Sequence, residues 1–170
     1  TAPMLQVLMP ARGDAPFLAA ALDSLHAQAF TEWQATLCPL DAAAHAVASC
    51  FMASDPRLQV AATTAMTEAD ALAHAADASS AAFLRVLDSD DVLEPGAFGP
   101  LLDALAADPS AGVAYSRHVL VDPNNRVLGP GPLCELPYSA EALLLDFMTG
   151  PLRIMRAQAC RDAGGFARTH

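Results

Sequence analysis

Phe83-Leu-Arg-Val-Leu-Asp-Ser-Asp-Asp91 is the stretch that decides the fold: a short apolar run delivers three carboxylates, Asp88, Asp90 and Asp91, to one point. An apolar run of this length ending in polar residues reads as a buried strand. In an open α/β sheet the carboxyl ends of the strands are where ligands bind. Hard divalent ions at such places are shared between protein carboxylates and a substrate's phosphates. The acidic point therefore suits a cation, and a metal-bound nucleotide diphosphate is the ligand it implies.

Upstream of this run, Met4–Met9 reads as a buried first strand, halted by Pro10 and the polar turn Ala11-Arg-Gly-Asp14. Leu18, Leu22 and Leu25 recur at helical spacing with Phe17 and Ala21 beside them, so a helix follows from about Pro16 to Ala29. Trp33–Cys38 is a second strand, Ala42–Met52 a helix, Arg57–Ala62 a short strand, and Glu68–Ala78 an alanine-rich helix leading into the acidic strand Ala82–Leu87. Strand and helix alternate, which makes the sheet mainly parallel.

Downstream, Val92-Leu-Glu-Pro-Gly96 turns the chain into a helix from about Ala97 to Ala107, closed by Asp108-Pro109. The second half changes character. Val113–Ser116, Val119–Val121 and Arg126–Leu128 are short, and Asp122-Pro-Asn-Asn125 is a turn signal between the last two, so antiparallel additions are expected. Gly129-Pro-Gly-Pro132 and Pro137 mark an irregular loop of the kind that often carries function. Ser139 caps a helix with Leu143, Leu144 and Phe147 as its apolar residues, Leu152–Met155 is a strand, and a short helix ends at Gly164-Gly165.

A length of 170 residues suits one domain over 1–170, divided into a nucleotide-binding half, 1–110, and a second half, 111–170. Nine basic against nineteen acidic residues give a net charge of -10, which argues against a nucleic-acid backbone or an anionic membrane as the main partner. Cys38, Cys50, Cys134 and Cys160 are far apart, with no Cys-x-x-Cys pair, and read as reduced thiols. The amino terminus has no basic segment followed by an apolar one, and no apolar stretch approaches the roughly 20 residues that span a bilayer. A cytoplasmic protein is expected, with a membrane-peripheral assembly as the alternative.

The order of these pieces resembles the family 2 glycosyltransferases of the GT-A fold from Leu5 to Phe166. Val7-Leu-Met-Pro10, Phe17-Leu18, Leu22-Asp-Ser-Leu25 and Gln28-Ala-Phe30 are similar to that family's opening strand and helix. Leu87-Asp-Ser-Asp-Asp-Val-Leu-Glu-Pro-Gly-Ala97 is similar to its DxD metal motif and the helix after it, and Leu152–Arg156 with Ala163-Gly-Gly-Phe166 to its late strand and turn under the acceptor site. Residues 137–150 further resemble members that build O-antigen or related cell-surface polysaccharides.

The resemblance implies an α/β, Rossmann-like, mainly parallel sheet flanked by helices. It implies transfer of a sugar, with inversion, from a nucleotide-diphosphate-sugar to the hydroxyl of a glycan or lipid-linked acceptor. Asp90, with Asp88, would hold Mg²⁺ or Mn²⁺. Asp88 and Ser89 would lie by the ribose or diphosphate, Pro10 and Ala11 would pass the nucleotide through their backbone, and Arg12 would reach a phosphate or stand as a surface charge. Asp41 would contact the base in place of the family's Asp-Asp-Gly-Ser run, or cap the following helix.

Other positions depart from the family pattern. Leu72 and Ala73 stand where an Arg-Asn pair is usual, and Pro151 where polysaccharide-building members have a histidine. The family's catalytic carboxylate, about ten residues past Gly-Gly-Phe, would fall beyond His170; Asp162 reads as a helix residue, and His45, His74 and His118 as ordinary surface histidines. These departures leave a second reading, a GT-A-like binding or assembly module without turnover. A phosphoryl-transfer receiver domain is disfavoured, because it would want a late lysine and the chain has none.

Overall fold

The computed structural model describes residues 3–13, 15–61, 67–132, 136–144 and 148–166. In chain order the elements are β1 (Leu5–Ala11), α1 (Ala15–His26), β2 (Trp33–Pro39), α2 (Ala42–Met52), β3 (Leu58–Val60), α3 (Glu68–Asp77), β4 (Phe83–Val86), α4 (Phe98–Ala107), β5 (Val113–Tyr115), β6 (Val119–Val121), β7 (Val127–Pro130), α5 (Ala140–Leu143), β8 (Arg153–Arg156) and α6 (Ala157–Asp162). Cys134, Phe147 and His170 lie outside the described residues.

Six strands form one sheet in the order β3-β2-β1-β4-β8-β5. The first four are parallel, while β8 runs antiparallel to both β4 and β5. A separate antiparallel pair, β6-β7, makes up the second sheet. The mainly parallel layout expected from alternating strands and helices is thus present, and so are the short antiparallel additions of the second half.

β1 is buried along its whole length, as a central parallel strand covered on both faces must be. Leu5, Val7 and Met9 join Leu18, Leu22 and Leu25 of α1 and Phe98, Leu101 and Leu105 of α4 in the main core. Leu8 points the opposite way, toward Cys38 and the small Ala71 and Ala75 of α3. The alanines let α3 lie close to the sheet, which gives part of the alanine bias a packing purpose.

Two expected boundaries shift. Pro10 does not end the first strand: it pairs in register with Cys38, and Ala11 continues the strand against Pro39. A proline is tolerated there because of where its missing N–H would point. The Leu87 N–H donates to the Leu8 carbonyl at 2.9 Å, so the next rung of a parallel ladder would come from residue 10 to the Leu87 carbonyl. Pro10 cannot supply it, and β4 is released from β1 where the acidic residues begin. The other shift is in Gly129-Pro-Gly-Pro132: Gly129 and Pro130 belong to β7 rather than to an open loop.

Candidate functional site

β1 leads to β2 on one side and neighbours β4 on the other, so the carboxyl ends of β1 and β4 flank the point where strand order reverses, the usual ligand crevice of an open α/β sheet. A cleft of about 680 Å³ lies there. Pro10 and Arg12 line it from the end of β1, Phe17 and Ala20 from α1, Glu68 from the start of α3, and Asp88, Ser89 and Asp90 from the end of β4. Val121, Asp122, Pro123 and Asn125 of the β6-β7 hairpin line it from another side. The hairpin turn is held by Asp122, whose Oδ1 accepts from the Asn124 N–H at 2.8 Å and the Arg126 N–H at 3.0 Å, with Asn125 at a φ of 60°.

The acidic turn is fixed from below by α1. It closes on itself through the Asp91 N–H donating to the Asp88 carbonyl at 3.2 Å. Ser24 Oγ accepts the Leu93 N–H at 3.0 Å, and the buried Gln28 donates to the Glu94 carbonyl at 2.7 Å. The Ala29 N–H then donates to the Pro95 carbonyl at 2.9 Å. The aspartates do not cap α4, whose first turn has no side-chain cap. Asp88 and Asp90 are left facing the cleft, with the backbone of the turn held by residues whose role the sequence pattern did not reveal.

Asp88 has a raised pKa because surrounding protein desolvates its carboxyl and Asp90 adds negative charge; Asp91 is raised by desolvation, then by Asp88 and Asp90. A divalent cation would relieve this repulsion, so the donor set fits the hard, oxygen-preferring ion that the sequence implies. Among the described residues no group of three or more acidic, histidine or cysteine side chains is arranged to hold a metal by itself. Asp90 and Asp88 would thus share an ion with ligand oxygens.

Of the residues singled out from sequence, Pro10, Arg12, Asp88, Ser89 and Asp90 meet in this one cleft, and Ala11 and Asp41 are not among its lining. Ala11 is fully buried, and its carbonyl accepts from the Leu40 N–H at 2.8 Å. Asp41 is the N-cap of α2: Oδ1 accepts from the Ala44 N–H at 2.8 Å and Oδ2 from the Gly13 N–H at 2.7 Å. The Ala44 bond, then the Gly13 bond, holds its pKa below the usual carboxylate range. Asp41 therefore ties the turn after β1 to the start of α2. Leu72 is half-buried and Ala73 buried in α3, His45 and His74 are exposed on helices, and Asp162 ends α6. Cys38, Cys50 and Cys160 are free thiols, and burial raises the Cys38 pKa to about 11, which leaves it protonated and inert.

A second cavity, of about 530 Å³, adjoins the first across Asp90, Val92, Val121 and Asn125. Arg85, Asp91, His118, Pro151 and Leu152 are among its walls. His118 is more than a surface residue, because its ring occupies the space above two glycines. A Cβ on Gly131 would lie 2.0 Å from Nε2, and one on Gly150, whose φ is +62°, 2.7 Å from Nδ1. Gly131→Ala is therefore expected to displace the ring and to cost about 1 kcal/mol or more in urea unfolding. In a His118→Ala background the same change should be nearly neutral, and equal costs in both backgrounds would reject the wedge.

The sequence profile described as glycosyl transferase family 2 matches residues 6–164. A curated relative, the uncharacterized protein y4gI of Sinorhizobium fredii, is 27% identical over 119 residues, which are 67% of this chain and 13% of the relative. Among solved structures, the mannosyltransferase PcManGT from Pyrobaculum calidifontis, in complex with GDP-Man and Mn²⁺, superposes with a TM-score of 0.71 at 16% identity, covering 98% of this chain and 48% of its own. S. aureus TarS 1-349 in complex with UDP-GlcNAc superposes with a TM-score of 0.73 at 14% identity, covering 95% of this chain and 48% of that one. The chain thus spans about half the length of these structures.

Proposed function

The chain belongs to glycosyl transferase family 2, and on that premise we propose that it binds a nucleotide-diphosphate-sugar in the first cleft and transfers the sugar, with inversion, to an acceptor hydroxyl presented from the second cavity. One observation carries the reading: two adjoining cavities meet at Asp90, at the carboxyl end of β4. Inverting transfer needs the acceptor on the face opposite the leaving diphosphate, and two separate spaces beside one carboxylate support that reading. PcManGT with GDP-Man and Mn²⁺ and TarS with UDP-GlcNAc make this donor class a reasonable one.

In this reading Asp90 and Asp88 hold Mg²⁺ or Mn²⁺, and a divalent ion stabilises charge on a diphosphate leaving group by several kcal/mol. Arg12, at the mouth of the cleft, offers a flexible cation to a phosphate oxygen. Pro10 contributes the backbone wall, the buried Ala11 acts from behind it by holding Leu40 of the cleft through its carbonyl, Ser89 adds a hydrogen-bonding group, and Asp41 acts through the turn it holds at Gly13. Inverting transfer also needs a base to take the acceptor's proton, and none of the described residues is assigned that role. The likeness of residues 137–150 to polysaccharide-building members supports an acceptor drawn from cell-surface glycans or their lipid-linked precursors.

A second reading is favoured by a specific observation: Ala73, at the position of a usual phosphate-side asparagine, is buried in α3 and has no polar group to offer. That fits a GT-A-like binding or assembly module without turnover. Calorimetric titration with UDP, GDP and dTDP, each with Mn²⁺ and again with EDTA, separates the two. Metal-dependent binding of one nucleotide is the expected result and names the base. Absence of binding by all three would overturn the donor-site reading and leave the module.

A further inference from the structure

The second cavity contains a buried cation with no anion bonded to it among the described residues. Arg85, in β4, is 1% exposed and lines the cavity with Asp91, His118 and Leu152. A guanidinium carries five N–H donors in a fixed fork. Here Nη1 donates to the Pro151 carbonyl at a long 3.3 Å, and Nε is buried without a partner. The Phe98 ring stands beside it, with its centroid 5.9 Å away. Among the described residues the group forms no ion pair; Asp91 and Asp88 act on it only through space. Burial lowers its pKa to about 10, so it stays charged at neutral pH. Buried charges are ordinarily paired and hydrogen-bonded, because leaving one unmatched costs several kcal/mol.

The acidic turn supplies diffuse compensation only while its charge is its own. A divalent cation on Asp88 and Asp90 would withdraw much of that compensation, and the guanidinium would then face the cavity as excess positive charge. We propose that the Arg85 cavity binds an anionic group, a carboxylate or a phosphate, carried by the acceptor. The fork of N–H donors matches either group, and charge-assisted bonds of this kind are the stronger class of hydrogen bond. The cavity has the volume of a small-molecule site. Assigning the anion to the acceptor rests on the donor reading of the first cleft; the anion site itself does not.

The test uses ¹H–¹⁵N spectra of the full chain titrated with two charged probes, methyl β-glucuronide and glycerol 3-phosphate, each beside its neutral twin, methyl β-glucoside and glycerol. Titrations run with and without Mn²⁺ plus UDP, GDP or dTDP. At least one charged probe is expected to shift the Arg85, His118 and Leu152 amides and to bind about tenfold more tightly than its twin; which one does so separates carboxylate from phosphate. Arg85→Met should erase that preference and leave metal-dependent nucleotide affinity unchanged. Arg85→Lys keeps the charge without the fork, and should retain a reduced preference even if Arg85→Met does not fold. Equal affinity for charged and neutral twins, or a preference undiminished in either variant, would overturn the proposal. An Arg85-dependent preference with no nucleotide binding would sink the donor reading and leave the anion site standing.

Discussion

Asp90→Ala is expected to remove the Mn²⁺-dependent part of nucleotide affinity, a loss of about 100-fold or more, while the urea unfolding transition stays in place or moves slightly upward. The reasoning begins with what Asp90 touches. Its side chain is exposed, lines both cavities, and makes no hydrogen bond to protein among the described residues, so its removal leaves no hole in the core and no orphaned donor. It also removes a negative charge that raises the pKa values of Asp88 and Asp91. For a carboxyl whose folded pKa lies above its unfolded one, stability is highest at low pH and falls as pH rises through that window. Relief of the repulsion should therefore show at neutral pH and fade toward pH 4. Supporting groups around a bound metal change affinity by about 10- to 100-fold when lost, and a direct ligand should reach at least the upper figure, roughly 2.7 kcal/mol. Titration with nucleotide in Mn²⁺ and in EDTA measures it. An unchanged difference between the two would reject Asp90 as a metal ligand.

What could be read from sequence follows the range of the interactions involved. The β4 run and its acidic end are local: apolar residues in sequence make the strand, and Asp88, Ser89 and Asp90 reach the cleft simply by following it. α1 was legible for the same reason, through the repeat of Leu18, Leu22 and Leu25. Pro10 misleads because a proline's effect depends on which neighbour its missing N–H would face, and that requires the register with β4. Ser24 and Gln28 sit in a segment quoted for its family likeness, yet their grip on Leu93 and Glu94 spans 69 and 66 residues and has no local signature. The Asp122–Asn125 turn announces itself through Asp, Pro and Asn, but its position over the cleft is decided by tertiary packing. Arg85 was hidden more thoroughly: nothing in an apolar run marks a charged residue as buried, and only the folded chain shows it enclosed.

The second large effect belongs to a place remote from both cavities. Asp55→Ala is expected to destabilise the chain by about 2 to 3 kcal/mol at neutral pH. Asp55 stands between α2 and β3 with 4% of its side chain exposed. Its carboxylate accepts from Arg57 Nε at 3.1 Å and Nη2 at 2.8 Å, from the Arg57 backbone N–H at 2.8 Å, and lies 2.5 Å from His26 Nε2. The Arg57 guanidinium in turn covers the Trp33 ring at 3.8 Å from its centroid. One carboxylate thus joins the end of α1, the turn before β3 and the first residue of β2, elements distant in sequence. Breaking a buried pair costs about 3–5 kcal/mol, and the lower expectation here reflects solvent access to Arg57 and His26, each about one third exposed. Hydrogen bonding by the Arg57 side chain, ahead of its backbone N–H and charge, lowers the Asp55 pKa. A depressed carboxyl pKa gives stability that is present above the unfolded value, near 3.9, and is lost as pH falls through the folded one. Urea unfolding of both proteins should therefore show a wide gap at pH 7 that narrows steeply below about pH 4. A gap under about 1 kcal/mol, or one indifferent to acid, would mean that the aspartate only decorates a turn. Since Trp33 and Leu5 pair at the amino ends of β2 and β1, and the cleft opens at the carboxyl ends, metal-dependent nucleotide affinity should survive in the folded variant.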